Sequence, residues 1–248
     1  MTYTKMAYYY DDLMKHAPYD QWVNFTQSIF KRYKKSVQTI TDLGCGTGEI
    51  TLRLAQLNYE MIGIDYSPHM LAMADQKAQA KGQRVQWMNQ DLRHLEGLYK
   101  QDVMISYCDV INYIPSITDL KIVFNNVYQS LSKDGLFIFD VHDFNYANQY
   151  LMNNTFAEVT DEFTYIWFCH EGEVSGEMFH ELTFFAKNEH GTYDQFSEVH
   201  EQRTYEEYIY KELLEESGFQ QIDIYDDFQL ECSKSNKQRE RVFFVALK

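Results

Sequence analysis

Residues 40–50 read ITDLGCGTGEI: an apolar run, then Gly44, Gly46 and Gly48 within five positions, then the start of an amphipathic segment. A glycine-rich turn that leaves a strand and enters a helix brings the backbone close to a nucleotide, because glycine has no Cβ and takes positive φ readily. The neighbours decide which nucleotide. The dinucleotide fingerprint GxGxxG needs glycine or alanine at position 49, where Glu49 stands. The Walker loop needs a Gly-Lys-Ser/Thr ending, and no lysine is near. Asp42 and Glu49 flank the turn with carboxylates, so a pyrophosphate would meet like charge. A ligand that lacks phosphate and carries positive charge suits this turn better.

Working outward, YDQWVNFTQSIFKRYK (20–35) spaces Trp22, Phe25, Ile29 and Phe30 as on a helix, and SVQTITDLG reads as a buried strand entering the turn. TGEITLRLAQLN leaves it as a helix, and EMIGID follows as a second strand. Ser67 and Pro68 open a helix that Gly82 follows. RVQWMNQD, DVMISY and DGLFIFDV are further strands, with the helix DLKIVFNNVYQSL before the last of them. Late in the chain, TYEEYIYKELLEESG is a helix, and FQQIDIYDDF and RVFFVALK are two closing strands. Alternating strands and helices imply an α/β fold: a doubly wound, seven-stranded, mostly parallel sheet with helices on both faces. Ligands of such sheets sit beyond the C-terminal strand ends, near a topological switch point.

Between residues 143 and 203 the pattern changes to short alternating segments, FTYIWFCHE, EMFHELTFFAK and TYDQFSEVHEQ. They read as three antiparallel strands with turns at 172–176 and 188–191, an inserted antiparallel β subdomain. The chain therefore divides into an N-terminal helical lid segment (1–36), a core domain (37–142 and 204–248) and a β-rich insertion (143–203) covering the substrate side.

Composition narrows the partners. The 248 residues carry a formal charge of −15, which repels phosphate backbones and disfavours nucleic acid. The basic cluster KRYKK (31–35) reads as the solvated end of a helix. Four cysteines (Cys45, Cys108, Cys169 and Cys232) show no metal-ligand spacing and read as free thiols. No apolar run approaches the ~20 residues that span a bilayer. The N-terminus lacks the pattern of a signal peptide, so the expected location is cytoplasmic, with no membrane partner.

S-Adenosylmethionine is a cationic ligand without phosphate, and the motifs quoted above, in their order, resemble the class I S-adenosylmethionine-dependent methyltransferases over residues 38–141. TDLGCGTG is similar to the family's first motif. The resemblance implies that Gly44, Cys45, Gly46 and Gly48 approach the methionyl part, with a side chain at any of the glycines blocking it, and that Asp42 helps orient the ammonium. It further implies that Asp65, seventeen residues after Gly48 and followed by Tyr66, accepts from the ribose hydroxyls. Asp91 would receive the adenine amino group, and the Leu92 amide would meet a ring nitrogen. Tyr107 to Asp109 would border the methionyl group. The aromatic leader (Tyr8, Tyr9, Tyr10, Tyr19, Trp22) is similar to segments that fold over the cofactor, which makes Tyr10 the expected lid residue.

Methyl transfer from a sulfonium is an in-line displacement, so positioning and water exclusion matter more than a catalytic triad or a metal. No metal is expected. His142, directly after the fifth strand, is the best-placed histidine for a base, and Tyr113 and Asn112 follow the fourth strand within reach of an acceptor. His170, His180 and His200 read as exposed or packed strand residues. The insertion holds twelve acids against Lys187 and Arg203, and thirteen aromatics. Carboxylates and aromatic faces favour a cation, so the expected acceptor is a small molecule carrying an amine or another polar group. Alternatives are an RNA or protein methyltransferase, disfavoured by the acid excess and by CDVINY where a base-methylating tetrapeptide would stand, and a non-catalytic cofactor-binding sensor or partner subunit. The aromatic-rich insertion could also pair edge to edge in a homodimer.

Overall fold

The computed structural model describes residues 6–161, 163–188, 190–231 and 239–248; Cys232 and the side chain of Tyr8 lie outside the described parts. Five strands alternate with helices: β1 (Thr39–Leu43), β2 (Glu60–Asp65), β3 (Val85–Asn89), β4 (Gln101–Ser106) and β5 (Leu131–His142). Helices α1 (Met6–Leu13) and α2 (Tyr19–Arg32) precede them; α3 (Glu49–Gln56), α4 (Pro68–Ala80) and α5 (Ile117–Ser130) connect them. After β5 come the single turn α6 (Phe144–Tyr146) and four more strands: β6 (Asn154–Val159), β7 (Phe163–Glu171), β8 (Glu177–Lys187) and β9 (Tyr193–Arg203). The chain closes with α7 (Glu207–Ser217), β10 (Gln221–Asp226) and β11 (Arg241–Leu247).

The large sheet runs β10-β11-β5-β4-β1-β2-β3, with only β11 antiparallel to its neighbours. Successive side chains of a strand point to opposite faces, and both faces here are apolar. On one face Leu136, Ile138, Phe243 and Val245 meet Trp22, Phe25 and Ile29 of α2 and Ile50 and Leu54 of α3. On the other, Phe137, Phe139 and Phe244 meet Val123, Phe124, Tyr210 and Leu214 of α5 and α7. The chain runs outward from β1 in both directions, to β2 and β3 on one side and to β4 and β5 on the other, so the switch point lies between β1 and β4. The loops after these two strands are the glycine turn and residues 107–116.

Glycine matters in two different ways around the turn. Gly44 has φ +73°, and a Cβ there would stand 2.3 Å from Val110 Cγ1. Gly63, on β2, lies under the Trp87 indole, whose Cζ3 a Cβ would meet at 2.3 Å. Trp87 also packs on Gly48, so one ring props the start of α3 against β2. Gly63→Ala should push this ring away and cost about 1–3 kcal/mol by overpacking. Urea unfolding checks this: an unchanged midpoint would show that Trp87 can shift freely.

The insertion forms a separate four-stranded antiparallel sheet, β6-β7-β8-β9, one strand more than the sequence suggests. The extra strand, β6, is an edge whose residues are mostly exposed, so its sequence has little apolar alternation to reveal it. Pairing with β7 defines it, with Phe156 opposite Trp167 and their rings 4.5 Å apart. Asn112 ties the two ends of the insertion to the core: its Nδ2 donates to Arg203 O (2.8 Å) and its Oδ1 accepts from His142 N (3.0 Å). The Asn112 side chain is thus fully buried and structural, which corrects the expectation that it could reach an acceptor.

Candidate active site

Beyond the switch point lies a cavity of about 730 Å³, walled by the glycine turn, the ends of β2, β3 and β4, helix α1 and the inner face of β7–β9. Of the residues expected to meet a cofactor, Tyr10, Asp42, Gly44, Cys45, Gly46, Asp65, Tyr66, Asp91, Leu92 and Tyr107 all line it. Gly48 does not. It caps α3 at φ +80°, and a Cβ there would meet Trp87 and Ala74, so helix packing rather than ligand approach requires this glycine. Gly44 likewise answers to Val110. At Gly46, φ is +53° and a Cβ would meet no protein atom within 4 Å, so its open side belongs to the cavity. Of the three glycines, only Gly46 has the open approach expected of all of them.

Asp65 ends β2 and gives one oxygen to Gly46 N and the other to Ser67 N, both at 2.8 Å. A carboxylate has about four lone-pair sites, so each oxygen keeps capacity toward the cavity. Burial raises its carboxyl above the usual range, against the pull of these two amides. Burial also pushes Asp42 up to about 7, although Thr51 Oγ1 donates to it at 2.6 Å. Asp91 follows β3 and is engaged by Arg93 at 2.6–3.1 Å, which holds its carboxyl below the ordinary value. Leu92 is buried in the 3₁₀ turn after it. Tyr66 is 72% exposed at the rim, whereas the Tyr107 phenol turns inward to Thr26 (2.7 Å).

Helix α1 bridges the two sheets across this space. Asp11 accepts from Thr47 Oγ1 of the glycine turn (2.6 Å) and pairs with Lys77 of α4 (2.7 Å). Earlier on the same helix, Tyr9 stacks on Phe163 and Phe196 of the inserted sheet, with centroids 5.9 and 5.4 Å apart. Tyr10 faces the cavity between these anchors.

The loop after β4 carries the densest charge. Cys108 and Asp109 both take positive φ (57° and 55°), a conformation uncommon for residues with a side chain and stabilised here by the bonds Asp109 makes. Its Oδ1 meets Arg241 Nη2 at 2.9 Å; its Oδ2 accepts from Gln202 Nε2 at 2.9 Å and faces His142 Nε2 at 3.5 Å. Burial works to raise the Asp109 carboxyl, but the charges of His142 and Arg241 with these hydrogen bonds hold it well below the usual range. Arg241 also binds the buried Asp140 (2.5 Å), to which Trp22 Nε1 donates at 3.3 Å. His142 thus stands beside the cavity as expected, but its Nε2 faces Asp109 and its Nδ1 is sealed from solvent. As a base it has no open lone pair; as a partner of Asp109 it is well placed.

Two histidines expected as packed or exposed strand residues prove to line the cavity. His180 accepts from Trp167 Nε1 at its Nδ1 (3.0 Å), so its proton resides on Nε2, 3.1 Å from Gln202 Oε1. Burial pushes it down to about 4, so it is neutral at physiological pH. His200 Nδ1 stands 3.3 Å from the Tyr113 hydroxyl. Of the three, His170 is exposed, whereas His180 and His200 are buried. The signal was present in the alternation: His180 shares its register with Met178, Leu182 and Phe184, the apolar inward face of β8. The acids of the insertion behave oppositely. Asp161, Glu171, Glu173, Glu181, Asp194 and Glu201 are exposed, so the carboxylates that line the cavity come from the strands, loops and helices of the core domain instead. No group of three or more potential metal ligands occurs among the described residues. No described helix is long and apolar enough to cross a membrane.

A family model described as a methyltransferase domain matches residues 34–218. A relative from Geobacillus sp. (strain WCH70), named a putative methyltransferase, is 39% identical over the full length of both chains. The crystal structure of an S-adenosylmethionine-dependent methyltransferase from Clostridium acetobutylicum superposes with a TM-score of 0.88 at 28% identity, covering 99% of this chain and 98% of that one. An amino pentose methyltransferase from Micromonospora echinaspora, solved with S-adenosylmethionine bound, shares the fold over 92% of this chain and 89% of its own, with a TM-score of 0.73 at 15% identity.

Proposed function

Since this chain belongs to the class I S-adenosylmethionine-dependent methyltransferases and uses S-adenosylmethionine as its methyl donor, we propose that it methylates a small amine-bearing molecule held between the strand ends and the inserted sheet. One observation carries the choice of acceptor. The cavity wall holds six acidic side chains (Asp42, pushed up to about 7 by burial, Glu49, paired behind the wall with Lys77 and Arg53, and Asp65, Asp91, Asp109 and Asp119) against two guanidiniums in the wall, Arg93 and Arg241, each already bound to carboxylates. An anionic acceptor would meet net repulsion there, and a cationic one attraction.

The donor fits the same wall. The open side of Gly46 admits a close ligand, Asp65 retains acceptor capacity for ribose hydroxyls, and Asp42 and Asp65 suit a cationic rather than a phosphorylated molecule. In this reading Gly44, Cys45, Gly46 and Asp42 hold the methionyl end, Asp65 and Tyr66 the ribose, and Asp91 and Leu92 the adenine. Bound there, the donor supplies a methyl group already activated on a sulfonium. The protein's own work is to orient the acceptor and exclude water. Asp109, kept ionised and steered by His142, Arg241 and Gln202, attracts the acceptor's cationic nitrogen. Tyr113 presents its hydroxyl to the same space, with Tyr165 and Trp167 as aromatic walls. Helix α1, pinned through Asp11 and Tyr9, acts as the lid.

Transfer of labelled methyl from S-adenosylmethionine to a panel of small primary amines and a matched panel of carboxylates tests the acceptor. Turnover should be confined to the amines. Preference for the carboxylates, or label entering only macromolecules, would overturn the reading.

A further inference from the structure

The inner face of the inserted sheet carries a buried acid outside the site described above. Along β9, Glu198, His200 and Gln202 alternate with the exposed Val199 and Glu201, so all three point inward. The side chains of Glu198 and His200 are 4% and 3% exposed. Glu198 lies opposite Leu182 and next to the stacked pair Phe184–Phe196. A carboxylate in such company costs several kcal/mol unless a charge or hydrogen-bond partner compensates it. Its Oε2 faces His200 Nε2 at 3.3 Å, close but not aligned as a hydrogen bond. The other ring nitrogen of His200 meets the Tyr113 hydroxyl at 3.3 Å, the rings edge to face at 5.8 Å. Tyr113 is the open end of this row, 36% exposed and lining the cavity. Among the described residues, the titratable groups facing His200 include Glu198 on its own strand, Tyr113 on the turn after β4, and the neutral His180 across the ladder on β8.

We propose that Tyr113, His200 and Glu198 form a proton relay that deprotonates the acceptor, with Tyr113 the catalytic residue and His200 and Glu198 the positioning pair behind it. The inference rests on the amine reading above. An ammonium has no lone pair to give, so one proton must leave the nitrogen before transfer. That proton passes to the Tyr113 oxygen as the phenolic proton passes to Nδ1 of His200. His200 becomes an imidazolium whose Nε2–H faces the Glu198 carboxylate, the contact that the extra charge would align. The freed nitrogen lone pair then forms the bond to the methyl carbon while the carbon–sulfur bond breaks and leaves its electron pair on sulfur. The positive charge lost from sulfur is carried by the methylated nitrogen, and the removed proton by His200. His142 cannot take this role with its Nδ1 sealed and its Nε2 turned to Asp109.

The relay is testable without an acceptor. In protein labelled with ¹⁵N in its imidazole rings, with His200 assigned through H200Q, neutral His200 should carry its proton on Nε2. Its NMR titration should move to lower pH in E198Q and recover in part in E198D, as loss and return of a neighbouring charge require. A proton on Nδ1, or a titration that E198Q leaves in place, overturns the relay whatever the amine panel shows. With the best amine of that panel, E198Q should lower kcat by about 100-fold, the scale of acid–base assistance. KM should stay nearly constant, and the rising limb of the kcat–pH profile should track the His200 pKa seen by NMR. A loss carried by KM alone would mean that the pair only shapes the cavity, which also overturns the relay. Failure of every amine would overturn the acceptor reading, while the tautomer and titration of His200 would still decide the relay.

Discussion

Arg241→Ala should lower folding stability by about 3–5 kcal/mol, because it leaves Asp109 and Asp140 buried without the cation that bridges them. The loss should also depend on pH, and the sign follows from the two states. In the native protein Asp109 is held below its ordinary value, so it contributes stability above the unfolded carboxyl pKa of about 3.9, lost as pH falls through the lower folded value. Burial already raises the Asp140 carboxyl despite Arg241. Without the guanidinium, Asp140 should titrate still further above the unfolded value, and the variant should lose stability as pH rises through that range. The gap between native and variant protein therefore widens from pH 5 to pH 8 in urea unfolding. Arg241→Met, which keeps most of the packing under Trp22, should show the same pH trend. A gap that stays constant with pH would mean that the loss is packing and that the carboxylates are solvated.

Asp65→Ala should weaken S-adenosylmethionine binding by about 1–3 kcal/mol, roughly 5- to 150-fold, measured by calorimetry. Two causes add. The substitution removes the acceptor proposed for the ribose hydroxyls, and it releases Gly46 N and Ser67 N, so the glycine turn loses a tether to β2. Asp65→Asn keeps one oxygen and should fall between the two. Affinity unchanged in the alanine variant, with the fold intact by thermal unfolding, would remove Asp65 from the cofactor site.

Much of the scaffold was legible because its signals are local. Ser67, Pro68 and Gly82 mark α4 by capping chemistry, and Ser67 Oγ accepts from Met70 N as that chemistry requires. The glycine turn excluded a phosphate loop by position 49 alone. Asp65 and Asp91 were found by counting from strand ends, and both face the cavity. The misses share a different character. β6 escaped because an exposed edge strand has weak alternation. Gly48 was assigned to the ligand because nothing in its surroundings in the chain shows Trp87 arriving from β3.

The insertion separates the two kinds of information most clearly. Composition marked it as acidic and aromatic, and from that alone its acids looked like the groups that hold a cation. Strand alternation then turns most described acids of β7–β9 to solvent and brings His180, Glu198, His200 and Gln202 inward, and strand pairing sets His180 opposite His200. Period-two patterning can say which residues share a face. It cannot say which face meets the end of a sheet formed a hundred residues earlier in the chain. Local order in ITDLGCGTGEI and its following strands was enough to specify the family and the donor. Contacts between residues far apart in sequence, such as Asp109 with Gln202 and Arg241, or Tyr113 with His200, exist only once the two sheets pack, and they set the charge and hydrogen bonding of the cavity wall.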